Sequence, residues 1–203
     1  GFGMTTFLEN IGFDEEFFEN LKVKLTIEGK SIFEYFPDYF YEQEFRVIFD
    51  FIRNNYEFGD KNTRQLIVYV YIFTLISLKM HLLEILEKKC SLSQNKWLEY
   101  SILAGDYFGG CYIEAFLASN RIGELKNWLE KLAIIHQKLI YNVKNGESMA
   151  VNHYIVEEVY VMTQKIFADL TGLEFNKLNY NEQFSYYIND IDSLINIIRE
   201  LDS

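Results

Sequence analysis

The apolar run at residues 66–78, LIVYVYIFTLISL, constrains the fold more than any other stretch of the sequence. Thr74 and Ser77 alone interrupt it, so its side chains must leave water on almost every side. The run is shorter than the roughly 20 residues that cross a bilayer, and we interpret it as a buried central helix. One proline and 11 glycines among 203 residues leave few tight turns for a sandwich or barrel. We therefore predict an all-α fold.

Helical periodicity along the rest of the chain predicts a single-domain bundle of about six to eight helices. The expected helices cover residues 7–22, 31–56, 63–89, 94–118, 121–145, 148–170 and 180–201. In the fifth of these, one apolar face is expected to carry Ile122, Leu125, Trp128, Leu129, Leu132, Ile135 and Leu139. No repeat or low-complexity segment divides the chain, so residues 4–203 are expected to form one domain. Residues 1–3 precede Met4 and are interpreted as a tag remnant.

Charge and cysteine content restrict the partners and the compartment. The net charge is −11, and the basic residues form no stripe, which argues against nucleic acid or an anionic membrane as the main partner. Cys90 and Cys111 have neither CxxC nor metal-ligand spacing. No leader-like segment opens the sequence, and we expect a reducing cytoplasm and no transmembrane segment.

The predicted helix at residues 94–118 contains Gly105, Gly109 and Gly110. A glycine inside a helix costs roughly 1 kcal/mol relative to alanine, so the cluster needs a compensating gain. Gly105 and Gly109 lie one turn apart, and this spacing lets another helix backbone approach closely. The crossing helix could belong to this chain or to a partner. Asp106 lies in the same apolar stretch, where a carboxylate needs a donor or solvent.

The string Leu-Ala-Gly-Asp-Tyr-Phe at residues 103–108 resembles a helix of the trans-isoprenyl diphosphate synthases that follows their aspartate-rich helix. It is most similar to the small subunit of the heterodimeric heptaprenyl and hexaprenyl diphosphate synthases. The resemblance is strongest over residues 63–141 and implies an isoprenoid-synthase-like fold. Residues expected at the partner interface or in close helix packing are Ala104, Gly105, Asp106, Tyr107, Phe108, Gly109 and Cys111.

The same resemblance implies a role in isoprenoid and menaquinone biosynthesis. This chain would be a noncatalytic, regulatory subunit that completes the heterodimer and helps to set product length. The catalytic partner would carry DDxxD arrays and Mg, and it would extend farnesyl diphosphate with isopentenyl diphosphate. The subunit would be cytoplasmic, with contact to the membrane surface through the product.

Paired aspartates are missing from this sequence. Prenyl synthases ionise an allylic diphosphate with magnesium, and carboxylates one helical turn apart can share such an ion. The corresponding residues, 78–84, read LKMHLLE, and no DDxxD occurs elsewhere. Asp190 and Asp192 are two positions apart and would point to different faces of a helix. We predict that this chain has no catalytic residue, cofactor or metal ion of its own.

Other chemistry-bearing residues favour structural interpretations. His81 with Glu84, and His153 with Glu157, have helical spacing suited to a metal pair, but neither pair has a third ligand nearby in sequence. His136 is expected on the helix surface or in packing, and no nucleophile, zinc or nucleotide motif occurs.

Two alternatives to the subunit role stay open. The aromatic content, 17%, suits a scaffold or lipid-binding protein with an isoprenoid-synthase-like fold and an internal apolar cavity. An independent enzyme would need a site assembled from residues distant in sequence.

Overall fold

The computed structural model describes residues 15–32, 59–90, 96–145 and 151–172, together with positions 45, 48, 52 and 54. In chain order its elements are α1 (Glu15–Lys24), β1 (Thr26–Ile27), β2 (Lys30–Ser31), α2 (Lys61–Cys90), α3 (Lys96–Ala118), α4 (Ile122–Lys144) and α5 (Val151–Thr171). This part of the chain is mostly helical, as predicted. The helix expected at residues 180–201 lies outside the described residues, as does most of the one expected at residues 31–56.

A small hairpin follows α1. Strand β1 pairs antiparallel with β2, and the connecting residues Glu28 and Gly29 have φ angles of 51° and 76°. Positive φ at both central positions gives a turn whose twist matches the strands, and glycine adopts that conformation without strain. The hairpin returns the chain to α1, where the amide of Ile32 donates to the carbonyl of Leu25.

Helix α2 is the central helix of the described bundle. It packs against α3, α4 and α5, and residues 66–80 are buried apart from the half-buried Tyr69. Two of its interior hydroxyl groups have partners on neighbouring helices: Ser77 Oγ donates to the carbonyl of Gly105, and Trp128 Nε1 donates to Thr74 Oγ1. Buried hydroxyl groups are tolerated in an apolar helix when they are bonded in this way.

The length argument against a membrane span needs correction. Helix α2 extends beyond the apolar run on both sides, and the stretch Lys61–Leu86 is long and apolar enough to cross a bilayer. Its most apolar window is 89% buried inside the protein. That burial is typical of a core helix. The argument that α2 is a core helix therefore rests on its burial and not on its length.

Helix α4 follows α3 through a tight turn. The amide of Arg121 donates to the carbonyl of Phe116, that of Asn120 donates to Leu117, and Asn120 has a φ of 56°. These bonds form a Schellman motif that ends α3 and starts α4 antiparallel to it. The turn explains how α4 returns along α2 and α3.

The predicted apolar face of α4 is correct in its centre and wrong at its edge. Leu125, Trp128, Leu132, Ile135 and Leu139 are buried. Ile122 and Leu129, however, are 63% and 40% exposed. Successive helical residues turn by roughly 100°, which places both side chains on the shoulder of the buried face rather than on it.

Candidate functional site

The predicted site residues divide between two flanks of α3. On the inner flank, Ala104 and Phe108 are fully buried, and Cys111 is 6% exposed. Phe108 stacks on Phe73 of α2 with 5.9 Å between the ring centroids and 9° between the planes. This flank therefore packs within the chain, against α2.

Gly105 of α3 lies directly against the His81 ring of α2. A Cβ atom at this position would lie 2.9 Å from Cε1 of His81, closer than such atoms pack in proteins. The hydroxyl of Ser77, one turn earlier on α2, donates to the carbonyl of Gly105 at 2.7 Å. The glycine therefore leaves room for the imidazole ring against the α3 backbone.

Gly109 and Gly110 lie in different surroundings. A Cβ atom on Gly109 would make an ordinary contact of 3.7 Å with Ser77 Oγ, and one on Gly110 would have no atom of the described residues within 4 Å. Of the three clustered glycines, only Gly105 has a neighbour that a larger side chain would displace.

The outer flank of α3 faces solvent. Asp106 and Gly110 are exposed, and Leu103 and Tyr107 have 53% and 39% of their surface accessible. The Asp106 carboxylate is therefore solvated by water and needs no donor from the protein. Large apolar side chains that remain exposed beside it form a surface on which another protein could pack.

His81 belongs to a polar cluster at the Gly105 crossing. Its Nδ1 lies 3.9 Å from Glu84 Oε2, and its ring contacts His136 of α4 edge-on with centroids 5.1 Å apart. Nε2 of His136 is buried and has no hydrogen-bond partner among the residues that the structure describes. Burial lowers the pKa of His136, the neighbouring His81 lowers it further, and Glu84 opposes both effects.

The sequence could not place His136 beside His81, because the two residues are on different helices. Within the described part of the chain, no group of three His, Cys, Asp or Glu side chains has an arrangement that could hold a metal ion. The side chains of His153 and Glu157 lie outside the described residues. The His81 cluster is therefore a packed polar contact between α2 and α4.

An open cleft of about 490 Å³ lies at the other end of the α2–α3 pair, where α2 begins and α3 ends. Tyr69 and Phe73 of α2 supply aromatic rings, and the small residues Cys111, Ala115 and Ala118 line the α3 side. Its volume is within the range of small-molecule sites. Sequence reasoning missed this cleft, although the recurrence of small residues on one flank of α3 was a signal for it.

The thiol of Cys111 borders the cleft. Burial raises the pKa of this thiol, and a hydrogen bond with Tyr107 and the charge of Lys24 partly oppose that change. A thiol with a raised pKa remains protonated and is a poor nucleophile. Cys111 is therefore part of the cleft wall rather than a reactive group.

No protein-family model, curated protein or solved structure matches this chain. The resemblance to the small prenyl synthase subunits is carried by the residues of the sequence themselves and stays a prediction.

Proposed function

We propose that this protein is the noncatalytic subunit of a heterodimeric long-chain trans-prenyl diphosphate synthase. The observation that carries the proposal is the ordered string at residues 103–108, which lies on α3 where that helix packs on the buried α2. In this proposal the fold is isoprenoid-synthase-like and the chain contributes structure, not catalytic groups.

The packing of α3 is consistent with a structural role for this helix, in which one flank packs within the chain and the other contacts a partner. Its inner flank is filled by the chain's own α2, with Ala104 and Phe108 fully buried. A partner would therefore contact the outer flank, around Leu103, Asp106 and Tyr107. This refines the expectation from the sequence, in which the residues assigned to partner contact or close helix packing are Ala104, Gly105, Asp106, Tyr107, Phe108, Gly109 and Cys111.

Exposed apolar residues continue from α3 onto α4. Leu117 near the end of α3 is 50% exposed, and Ile122, Leu129 and Ile140 form a stripe along α4 with exposures of 63%, 40% and 48%. Such a surface is costly to leave in water, and burial against another helical subunit would recover that cost. We name the residues Leu103, Tyr107 and Leu117 with this α4 stripe the outer apolar face.

The chemistry in this proposal belongs to the partner. By the resemblance, that partner holds Mg on its DDxxD arrays and makes a heptaprenyl or hexaprenyl chain in the cytoplasm. This chain would stabilise the active partner and influence product length.

The decisive experiment is a prenyl-transfer assay with isopentenyl diphosphate, farnesyl diphosphate and magnesium. It compares this chain alone, the DDxxD-containing synthase of the same organism alone, and the two mixed. We expect long products from the mixture only. Activity of the partner alone that mixing leaves unchanged, together with no association of the two chains, would refute the subunit role.

Two surface variants locate the contact. Leu103→Lys places a charge on the outer apolar face and should weaken association at least about tenfold, because a buried unpaired charge is strongly unfavourable at an interface. Ile134→Lys is the matched control, since Ile134 is also 53% exposed but lies on the opposite side of α4 from the stripe. Equal weakening by both variants would show that the outer apolar face is not the contact.

A further inference from the structure

The cleft beside Cys111 combines an aromatic wall with charged side chains from separate elements. Tyr69 stacks on Phe73 with centroids 5.5 Å apart and planes 7° from parallel. Apart from Glu114, the α3 side contributes small side chains, and across from them the half-buried Tyr69 ring is accessible while Phe73 packs behind it with 1% of its surface exposed. A flat or branched apolar group of drug-like size fits these walls.

Lys24 at the end of α1 places a cation over this wall. Its Nζ atom lies 6.0 Å from the centroid of the Tyr69 ring and 3.6 Å from Glu114 Oε1. The Glu114 side chain is 70% exposed, and ion pairs of this kind contribute little because water screens them. An anion inside the cleft can therefore replace Glu114 as the partner of Lys24.

The other charged groups that line the cleft have defined roles. Asp60 Oδ1 accepts the amide hydrogen of Thr63 at 2.7 Å, which caps α2 and lowers the pKa of this carboxyl. Arg121 adds a second cation and pairs with Glu124 at 3.5 Å. The two cations and two acids in the lining balance, so an anion would be held locally by Lys24 rather than by a net positive charge, and a diphosphate would meet too little positive charge.

We propose that this cleft binds a small monoanion with an aromatic or branched apolar body, such as an aromatic carboxylate. The apolar body lies against Tyr69, which the buried Phe73 backs, and the anionic group pairs with Lys24. This inference does not depend on the proposed subunit role.

The test uses two fluorescent probes with the same ring system on the full chain. 1-Anilinonaphthalene-8-sulfonate carries one negative charge, and N-phenyl-1-naphthylamine is neutral. Lys24→Gln should weaken binding of the anionic probe about fivefold and leave the neutral probe unchanged. The affinity of the anionic probe should also fall as salt is raised. Equal effects of Lys24→Gln on both probes would overturn the role of the cation.

A second pair of variants locates the probe. Ala118→Trp fills the cleft from an exposed position and should weaken both probes more than about tenfold, since the apolar body loses its space. Ala133→Trp is the matched control on the exposed surface of α4 and should bind both probes like the wild type. Wild-type affinity in Ala118→Trp would place the probe elsewhere and overturn the proposal.

Alkylation of Cys111 gives a readout that needs no cleft variant. Burial and a raised pKa make the reaction of Cys111 with N-ethylmaleimide slow, and in a Cys90→Ser protein saturating anionic probe should slow it further, because this thiol lines the cleft. An unchanged alkylation rate at saturation would contradict binding at this site, even if Ala118→Trp does not fold.

Discussion

Helices α2 and α3 pack closely at one end of their contact and separate at the other. At the closed end, Gly105 packs against the His81 ring, and a Cβ atom on residue 105 would lie 2.9 Å from Cε1 of that ring. At the open end, Cys111, Ala115 and Ala118 border a cleft of about 490 Å³. The two ends have the same small-residue spacing along α3. A small residue on a helix therefore indicates either a close contact with a neighbouring helix or an open cleft. The position of the neighbouring helix determines which of the two forms.

The largest expected effect is at Phe108, which lies between the two ends. This residue is fully buried and stacks on Phe73, which also lines the cleft. Phe108→Ala should lower the free energy of unfolding by about 3–5 kcal/mol, because the cavity left by the ring cannot fully collapse. Urea denaturation measures this loss. Leu103→Ala, on the exposed flank, is the control and should change stability by less than about 1 kcal/mol. Similar losses in both variants would mean that α3 does not present its Phe108 flank to α2.

The closed end is tested by a smaller change. Gly105→Ala gains helix propensity of up to about 1 kcal/mol but must displace the His81 ring, and we expect a net loss of about 1 kcal/mol. Gly110→Ala meets nothing within 4 Å and should stabilise the protein by up to about 1 kcal/mol. Thermal or urea unfolding of the two variants gives the comparison.

A double-mutant cycle identifies the cause of the difference. In a His81→Ala background the ring is gone, so Gly105→Ala should become stabilising by about 0.5–1 kcal/mol. If Gly105→Ala destabilises equally with and without His81, the close approach at Gly105 is to something other than the imidazole ring.

The sequence predicts the position of α2 well, because a helix that is apolar on all sides is unfavourable at a protein surface. It also predicts the centre of the buried face of α4, since Leu125, Trp128 and Leu132 follow the helical period. It overestimates that face at Ile122 and Leu129. Periodicity gives an approximate direction for each side chain, and the packing of neighbouring helices determines where the face ends.

The candidate sites are less predictable, because they depend on contacts between helices. Gly105 and Gly109 look equivalent in sequence, yet only Gly105 lies against a ring. The contact of His81 with His136 depends on the relative position of α2 and α4. The cleft depends on the distance between α1 and α3 around Lys24 and Glu114. None of these distances follows from the spacing of residues along a single helix.

The smallest predicted effect concerns pH at the closed end. Burial and the neighbouring His81 lower the pKa of His136 below its ordinary value of 6.5, against the opposing charge of Glu84. The unfolded chain therefore binds a proton at His136 more readily than the folded protein does. The stability associated with neutral His136 is fully present above pH 6.5 and is lost as the pH falls through the lower folded pKa.

His136→Gln removes this titration, so the free energy of unfolding of the wild type should decrease relative to the variant as the pH is lowered below 6.5. Urea denaturation of both proteins across this range gives the difference, in which the titration of groups distant from His136 cancels. A wild type that gains stability relative to His136→Gln in acid would reverse the sign. Glu84 would then dominate over burial and His81, and the closed end would be held together by a charged His136 rather than by close packing of a neutral His136 ring.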